Sequence, residues 1–211
     1  MAGCSSCEVK FDGASRAYLR VLWAVIAINA SMFVVEMASG IAAGSMALQA
    51  DALDFLGDTA TYAISLYVIG RPPAVRASAA LLKGLSLGAL GLWVLGATLW
   101  RVFVLGVPDG LVMGGVGLLA LAANLASVLL LLRYRDGDAN VRSVWLCSRN
   151  DALGNLAVVL AASGVLATGT AWPDLLVAGV MAGLFLSSAT SIVRQALGEL
   201  GVRPFAPTIA E

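Results

Sequence analysis

The sequence predicts an all-α membrane protein built as a bundle of six transmembrane helices, and three observations carry this prediction. Apolar residues make up 60% of the 211 residues and charged residues only 12%, whereas ordinary soluble domains are about 45–50% apolar and about 25% charged. The mean hydropathy is +0.90. Six apolar stretches are long enough to cross a bilayer, and the basic residues are distributed asymmetrically around them. A soluble fold of this length leaves too much of its surface in water to accommodate such a composition.

Each predicted helix is a continuous apolar run that approaches or exceeds the roughly 20 residues needed to span the hydrocarbon core. The runs are separated by short segments rich in Gly, Pro and Asp, which are typical turn residues. We place the predicted spans at 18–39, 45–69, 75–99, 111–132, 144–168 and 174–197. The sequence thus predicts a tail at 1–15, a six-helix membrane domain at 16–200 and a second tail at 201–211.

The basic residues predict the orientation of the bundle. Twelve of the thirteen lie in the N-terminal tail, the second–third and fourth–fifth connections and the C-terminal tail, or in the span ends next to them, and only Arg101 falls on the other side. Because Lys and Arg accumulate on the cytoplasmic side, we expect both termini to be cytoplasmic, in a bacterial inner membrane. Lys83 and Arg101 lie near the ends of predicted spans, where long side chains can reach water.

Charge and residue usage exclude several classes of function. The net charge is zero, there are three cysteines, and there is no histidine. Nucleic-acid binding, a disulfide framework and histidine-based catalysis are therefore not expected. We find no hydrolytic or transferase constellation and no sign of a prosthetic group, so the chain is predicted not to be an enzyme. Any metal site must use Asp, Glu, Cys and backbone oxygens.

Two of the predicted spans carry polar residues at helical spacing. In the second span Asp54 and Asp58 are four residues apart, on one face, and Asp51 lies one turn earlier. In the fifth span Cys147 and Asp151 are also four apart, and Asn155 continues that stripe. Acids within spans are costly and usually face a bundle interior or a water path.

Facing each other, these two spans would offer three carboxylates and one thiol, which suits a tetrahedral site for a divalent cation. The positive charge of the metal would offset the repulsion among the carboxylates. Without metal some of the acids would carry protons, so metal binding would release protons. For Asp51, an interfacial position or a helix–helix hydrogen bond is an equal alternative, and Cys147 by itself could be a small buried side chain.

The segments 44–58 and 140–154 resemble the second-helix and fifth-helix blocks of the cation diffusion facilitator (cation efflux) family. Asn29 and Glu36 match a polar pattern common in the first helix of that family. The resemblance implies six transmembrane helices, proton-coupled antiport of divalent metals and a homodimer, with Asp54, Asp58, Cys147 and Asp151 at the metal positions.

Three departures from the family pattern accompany this resemblance. The chain ends before the usual cytoplasmic C-terminal domain, it has no His-rich segment, and Cys147 stands where the family usually has His. We therefore expect a short form of the family, whose ion is not fixed by the resemblance.

The ligand types narrow the choice of ion. A thiolate favours softer ions such as Zn²⁺ or Cd²⁺, whereas three carboxylates favour harder ions such as Mn²⁺ or Fe²⁺. Zn²⁺ is the expected compromise, and Co²⁺ and Ni²⁺ stay open. Cys4 and Cys7 form a CxxC in the N-terminal tail, which could capture thiophilic metal or could be an ordinary reduced pair.

Two other functions stay open at this point. One is a membrane metal sensor or accessory subunit that binds metal without transporting it, and the other is a thiol-redox protein using the three cysteines. The third and fourth spans lack acid pairs and are rich in glycine, so we expect them to provide packing and dimer surfaces.

Overall fold

In the computed structural model, residues 15–68, 73–104, 106–136 and 139–201 are described, and their regular structure is entirely helical. Six α-helices follow one another along the chain. They are α1 (Arg16–Ala43), α2 (Met46–Val68), α3 (Pro73–Phe103), α4 (Gly110–Leu131), α5 (Ala139–Thr168) and α6 (Trp172–Glu199), with one 3₁₀ turn at Leu132–Tyr134. The all-α, six-helix prediction is confirmed.

Five of the six helices, within the described ranges, are long and apolar enough to cross a membrane, which supports a multi-pass membrane protein. The remaining helix, α2, is long enough with 23 residues, but it contains the three aspartates Asp51, Asp54 and Asp58. The helix least suited to contact with lipid is therefore the one that carries most of the predicted metal ligands. The predicted tails 1–15 and 201–211 lie almost entirely outside the described residues.

The connection between α1 and α2 is a tight turn held from several sides. Gly44 ends α1 in the left-handed region, with φ 68°, which glycine adopts without strain. Arg101 of α3 donates from Nη2 to the Gly44 carbonyl oxygen at 2.6 Å. A side chain at Gly44 would collide with that guanidinium. Arg101 thus caps the end of α1 as well as lying near a helix end.

The helices pack as antiparallel neighbours, most extensively α3 with α6, α4 with α5 and α1 with α2. Glycines allow close approach at two of these pairs: Gly84 and Gly91 face α6, and Gly117 faces α5. The main apolar cluster joins α2, α3, α4, α5 and α6, and it includes Leu48, Val94, Met113, Val158 and Ala182. The second and fifth helices are brought together in the interior, as a site shared between them requires.

Large apolar side chains cover the outer surface of the described bundle. Trp100 is 70% exposed and Phe103 83% exposed, and many leucines on α3, α4, α5 and α6 are also exposed. An apolar surface of this extent suits contact with lipid rather than water.

Candidate metal centre

Three of the predicted metal ligands meet at one place between α2 and α5. Asp54 and Asp58 project from α2 and Asp151 from α5, and together with Phe55 and Asn124 they line a gap too tight for a water molecule. The i, i+4 spacing on α2 places both of its carboxylates on the side that faces α5. The two-helix arrangement inferred from the spacing is the one observed for these three acids.

The carboxyl groups lie within hydrogen-bonding reach of one another. Asp151 is within reach of both Asp54 and Asp58. Two carboxylates approach this closely only when a proton or a cation lies between them, because both are otherwise negative acceptors. Tyr62, one turn further along α2, donates its hydroxyl to Asp58 Oδ2 at 2.5 Å. The acids therefore form a group whose charge must be balanced by something bound there.

Cys147 lies at the edge of this group rather than in the gap. Its side chain is half-buried and packs against the apolar cluster of Tyr18, Leu22 and Tyr62. The Tyr62 hydroxyl is within reach of the Cys147 sulfur, and the sulfur is close enough to Asp58 and Asp54 to interact electrostatically. Coordination by Cys147 would need a change in side-chain position, and its role stays a prediction.

As they stand, no three Asp, Glu or Cys side chains in the described part of the chain are close enough to hold a metal ion. The three aspartates supply only oxygen donors around the gap, and oxygen donors suit Mn²⁺ and Fe²⁺ and are accepted by Zn²⁺. The donor set thus fits a divalent cation in kind, with a closer approach needed in the bound state. The four-ligand site stays a prediction.

Asp51 and Asn155 belong to a neighbouring hydrogen-bond network. Asn155 of α5 donates from Nδ2 to Asp51 Oδ2 at 2.6 Å, and Asn124 of α4 donates from Nδ2 to Asn155 Oδ1 at 2.8 Å. Glu36 of α1, which is fully buried, lies beside Asp51. Because Asn124 also lines the gap, this network connects α1 with the three aspartates. Neither Asp51 nor Asn155 lines the gap itself.

The two remaining candidate ligands, Cys4 and Cys7, lie outside the described residues. Nothing in the structure bears on the CxxC.

We expected α3 and α4 to provide packing and dimer surfaces, but each of them also brings one side chain to the candidate metal centre. Asn124 of α4 lines the gap, and Lys83 of α3 interacts electrostatically with Asp58 and Cys147. The signal was present in the sequence, since each is a lone polar residue within a long apolar run and such residues usually face the bundle interior. Neither residue has a polar partner four positions away in its own helix, so helical spacing does not single it out.

A further buried acid, Asp174 at the start of α6, has a different environment. Its carboxylate accepts from the Ser45 hydroxyl at 2.6 Å and from the backbone amides of Met46 and Ala47 at 2.8 and 3.0 Å. These donors belong to the beginning of α2, so Asp174 caps α2 from a neighbouring helix. We call Asp174, Ser45 and Arg101 the outer clamp, because they hold the α1–α2 turn.

Most of the chain is similar to known proteins. The family model for the cation efflux transmembrane domain matches residues 22–200. A relative named zinc transporter ZitB, from Escherichia coli, is 27% identical over 194 residues, which cover 86% of this chain and 62% of the relative. A metal cation efflux system protein CzcD, from Cupriavidus metallidurans, is 28% identical over 186 residues, covering 82% and 58%. The chain thus matches about 60% of the length of these relatives.

Proposed function

Because the chain belongs to the cation efflux family, we propose that it is a divalent metal cation/proton antiporter that exports Zn²⁺ or a similar transition metal from the cytoplasm. The observation that carries the proposal is the group of three aspartates, Asp54, Asp58 and Asp151, around one gap inside a membrane bundle. Acids at such a position are expensive unless a cation or protons balance them. On this proposal the chain is a transporter and not an enzyme.

The charge of the three aspartates supports a divalent cargo. Three carboxylates in a poorly hydrated interior repel one another strongly, and a divalent cation removes most of that repulsion at once. The relatives support a transition metal, since one is named a zinc transporter and another a metal cation efflux protein. Zn²⁺ is our first choice, and Cd²⁺, Co²⁺, Mn²⁺ and Fe²⁺ are the ions to compare with it.

The same acids provide a route to proton coupling. When no metal is bound, the contacts of Asp151 with Asp54 and Asp58 need at least one proton to hold them together. Metal binding displaces such protons, and protonation from the opposite side displaces the metal. One group of residues can therefore hold both cargoes, one at a time, and this exchange is what an antiporter requires.

The orientation and assembly complete the proposal. Twelve of the thirteen basic residues favour a cytoplasmic position for both termini, so the outer clamp would face away from the cytoplasm in a bacterial inner membrane. The proposal that the chain forms a homodimer rests on the family resemblance.

The orientation is tested by replacing the three native cysteines with serine and labelling single introduced cysteines from outside the cell. Thr170→Cys should react and Arg71→Cys should not.

The direct test is metal flux in proteoliposomes that contain only this chain, with an imposed pH gradient. Zn²⁺, Cd²⁺, Co²⁺, Mn²⁺ and Fe²⁺ are each supplied outside, and internal metal and internal pH are followed together. The proposal predicts metal uptake coupled to proton movement in the opposite direction. Metal binding to the purified chain without flux would instead favour the sensor or accessory role.

A further inference from the structure

Lys83 lies inside a membrane helix, where a charged side chain is energetically costly and usually has a function. The candidate span on α3 covers Ala77–Phe103, so Lys83 is six residues inside it, about 9 Å along the helix axis. Its side chain is half-buried. The sequence suggested a position near the end of the span. In the structure Lys83 lies ten residues after the start of α3 at Pro73, so helix continues on both sides of it.

The face of α3 that carries Lys83 is turned toward the core. Leu87 and Leu90, four and seven residues later on that face, pack against the main apolar cluster, to which α2 contributes Leu48 and Leu53. Val94, on the same stripe, is fully buried. The helix thus directs Lys83 inward rather than toward lipid.

At that depth Lys83 meets the edge of the candidate metal centre. Its ammonium interacts electrostatically with the Asp58 carboxyl and the Cys147 sulfur. Tyr62 joins these two groups, since its hydroxyl donates to Asp58 and lies within reach of Cys147. Lys83, Asp58, Tyr62 and Cys147 therefore form one cluster that draws on α2, α3 and α5.

We propose that Lys83 is a residue that sets metal affinity, acting as a built-in cation beside the site that weakens the hold of the acids on the transported ion. This inference rests on the proposed function. A fixed positive charge close to Asp58 repels a divalent cation twice as strongly as a monovalent one. The same positive charge also balances part of the negative charge on Asp58 after the metal has left. A transporter must release its cargo in every cycle, and Lys83 limits how tightly the aspartates bind.

If Lys83 weakens metal binding, removing its charge should increase the affinity for Zn²⁺. Lys83→Gln and Lys83→Met both remove the charge, and the methionine keeps an apolar stem of similar length. Either change should lower the Kd for Zn²⁺ by about tenfold or more, because the repulsion acts across a medium less polar than water. In flux assays KM should fall and kcat should fall with it, since the tightly held ion leaves slowly.

The experiment uses the full chain with Cys4→Ser and Cys7→Ser, so that the tail thiols do not bind metal. Zn²⁺ affinity is measured in detergent at fixed pH by competition with a chromophoric chelator. Lys83→Arg retains the charge and should retain the wild-type Kd. Arg194→Gln is the matched control, because it removes one positive charge from an exposed position on α6.

Tighter binding in both neutral variants, with wild-type affinity in Lys83→Arg, supports the proposal. Unchanged or weaker binding in folded Lys83→Gln and Lys83→Met overturns it, and so does an equal gain in Arg194→Gln. Absence of Zn²⁺ binding by the parent chain would be a failure of the proposed function itself. That result is read from the parent before any Lys83 variant is compared.

Discussion

Asp174 of the outer clamp and the aspartates of the candidate metal centre differ in what surrounds them. Asp174 in the outer clamp is 1% exposed, and its oxygens accept three hydrogen bonds from the start of α2. Asp58 accepts a hydrogen bond from Tyr62, lies close to the acids Asp54 and Asp151, and interacts electrostatically with Lys83. A buried carboxylate surrounded by donors has its hydrogen bonds satisfied by the protein itself, whereas a carboxylate that faces other carboxylates needs a bound cation or proton.

The helix termini explain why the outer clamp satisfies its acid so well. The first backbone amides of α2 have no partner within the helix, and their dipoles favour a negative charge beside them. Asp174 supplies that charge from another helix, and Ser45 adds its hydroxyl. The acids of the candidate metal centre lie within helices, where every backbone amide is already used. The contrast predicts that Asp174 acts in stability and the aspartates of the candidate metal centre act in transport.

The largest effect is expected from Asp151→Ala and Asp58→Ala. Either change removes a carboxylate from the gap and should abolish Zn²⁺ flux, because losing one ligand reduces metal affinity by several kcal/mol. The protein should still elute as a folded species in detergent. Asp109→Ala is the matched control: Asp109 is an exposed cap of α4, bonded to the amides of Leu111 and Val112, and its loss should leave flux intact. Wild-type flux from either site variant would count against the site.

The next effect concerns stability. Asp174→Ala leaves buried donors on Ser45, Met46 and Ala47 without their acceptor, so we expect a loss on the order of 3 kcal/mol in the free energy of unfolding. Flux per folded molecule should stay close to that of the parent. Thermal unfolding in detergent measures the first quantity, and reconstituted flux the second. A stable Asp174→Ala protein that fails to transport would contradict the distinction between Asp174 and the aspartates of the candidate metal centre.

The smallest effect is a change of selectivity at Cys147. Cys147→Asp makes the nearby donors all carboxylate and should shift preference from Cd²⁺ and Zn²⁺ toward Mn²⁺ several-fold, whereas Cys147→His should keep Zn²⁺ and weaken Cd²⁺. Competition between Cd²⁺ and Mn²⁺ in one flux assay gives the ratio. If neither substitution moves the ratio, Cys147 packs against the Tyr18 and Leu22 cluster and does not bind the ion.

The sequence was sufficient for those features that depend on local pattern. Continuous apolar runs predicted all six helices, since a membrane helix is defined by length and hydropathy. The spacing of Asp54 and Asp58 predicted that they share a face, because helical periodicity is fixed. The meeting of this face with Asp151 followed from the cost of leaving acids in lipid.

Contacts between distant residues could not be predicted in this way. The bond between Asn124 and Asn155 joins positions 31 apart, and that between Asn155 and Asp51 joins positions 104 apart. Asp174 reaches its partners across 127 to 129 residues. Such pairs depend on how far each helix is shifted and rotated against its neighbours, which hydropathy does not encode.

The central claim, that the aspartates of α2 and α5 hold the transported metal, is tested most directly by X-ray absorption at the zinc edge. The sample is the purified chain with Cys4→Ser and Cys7→Ser, loaded with one equivalent of Zn²⁺. The account predicts a first shell dominated by oxygen at about 2.0 Å, and loss of that zinc in Asp151→Asn but not in Asp174→Asn. A first shell dominated by sulfur, or an oxygen shell unchanged in Asp151→Asn, would contradict it.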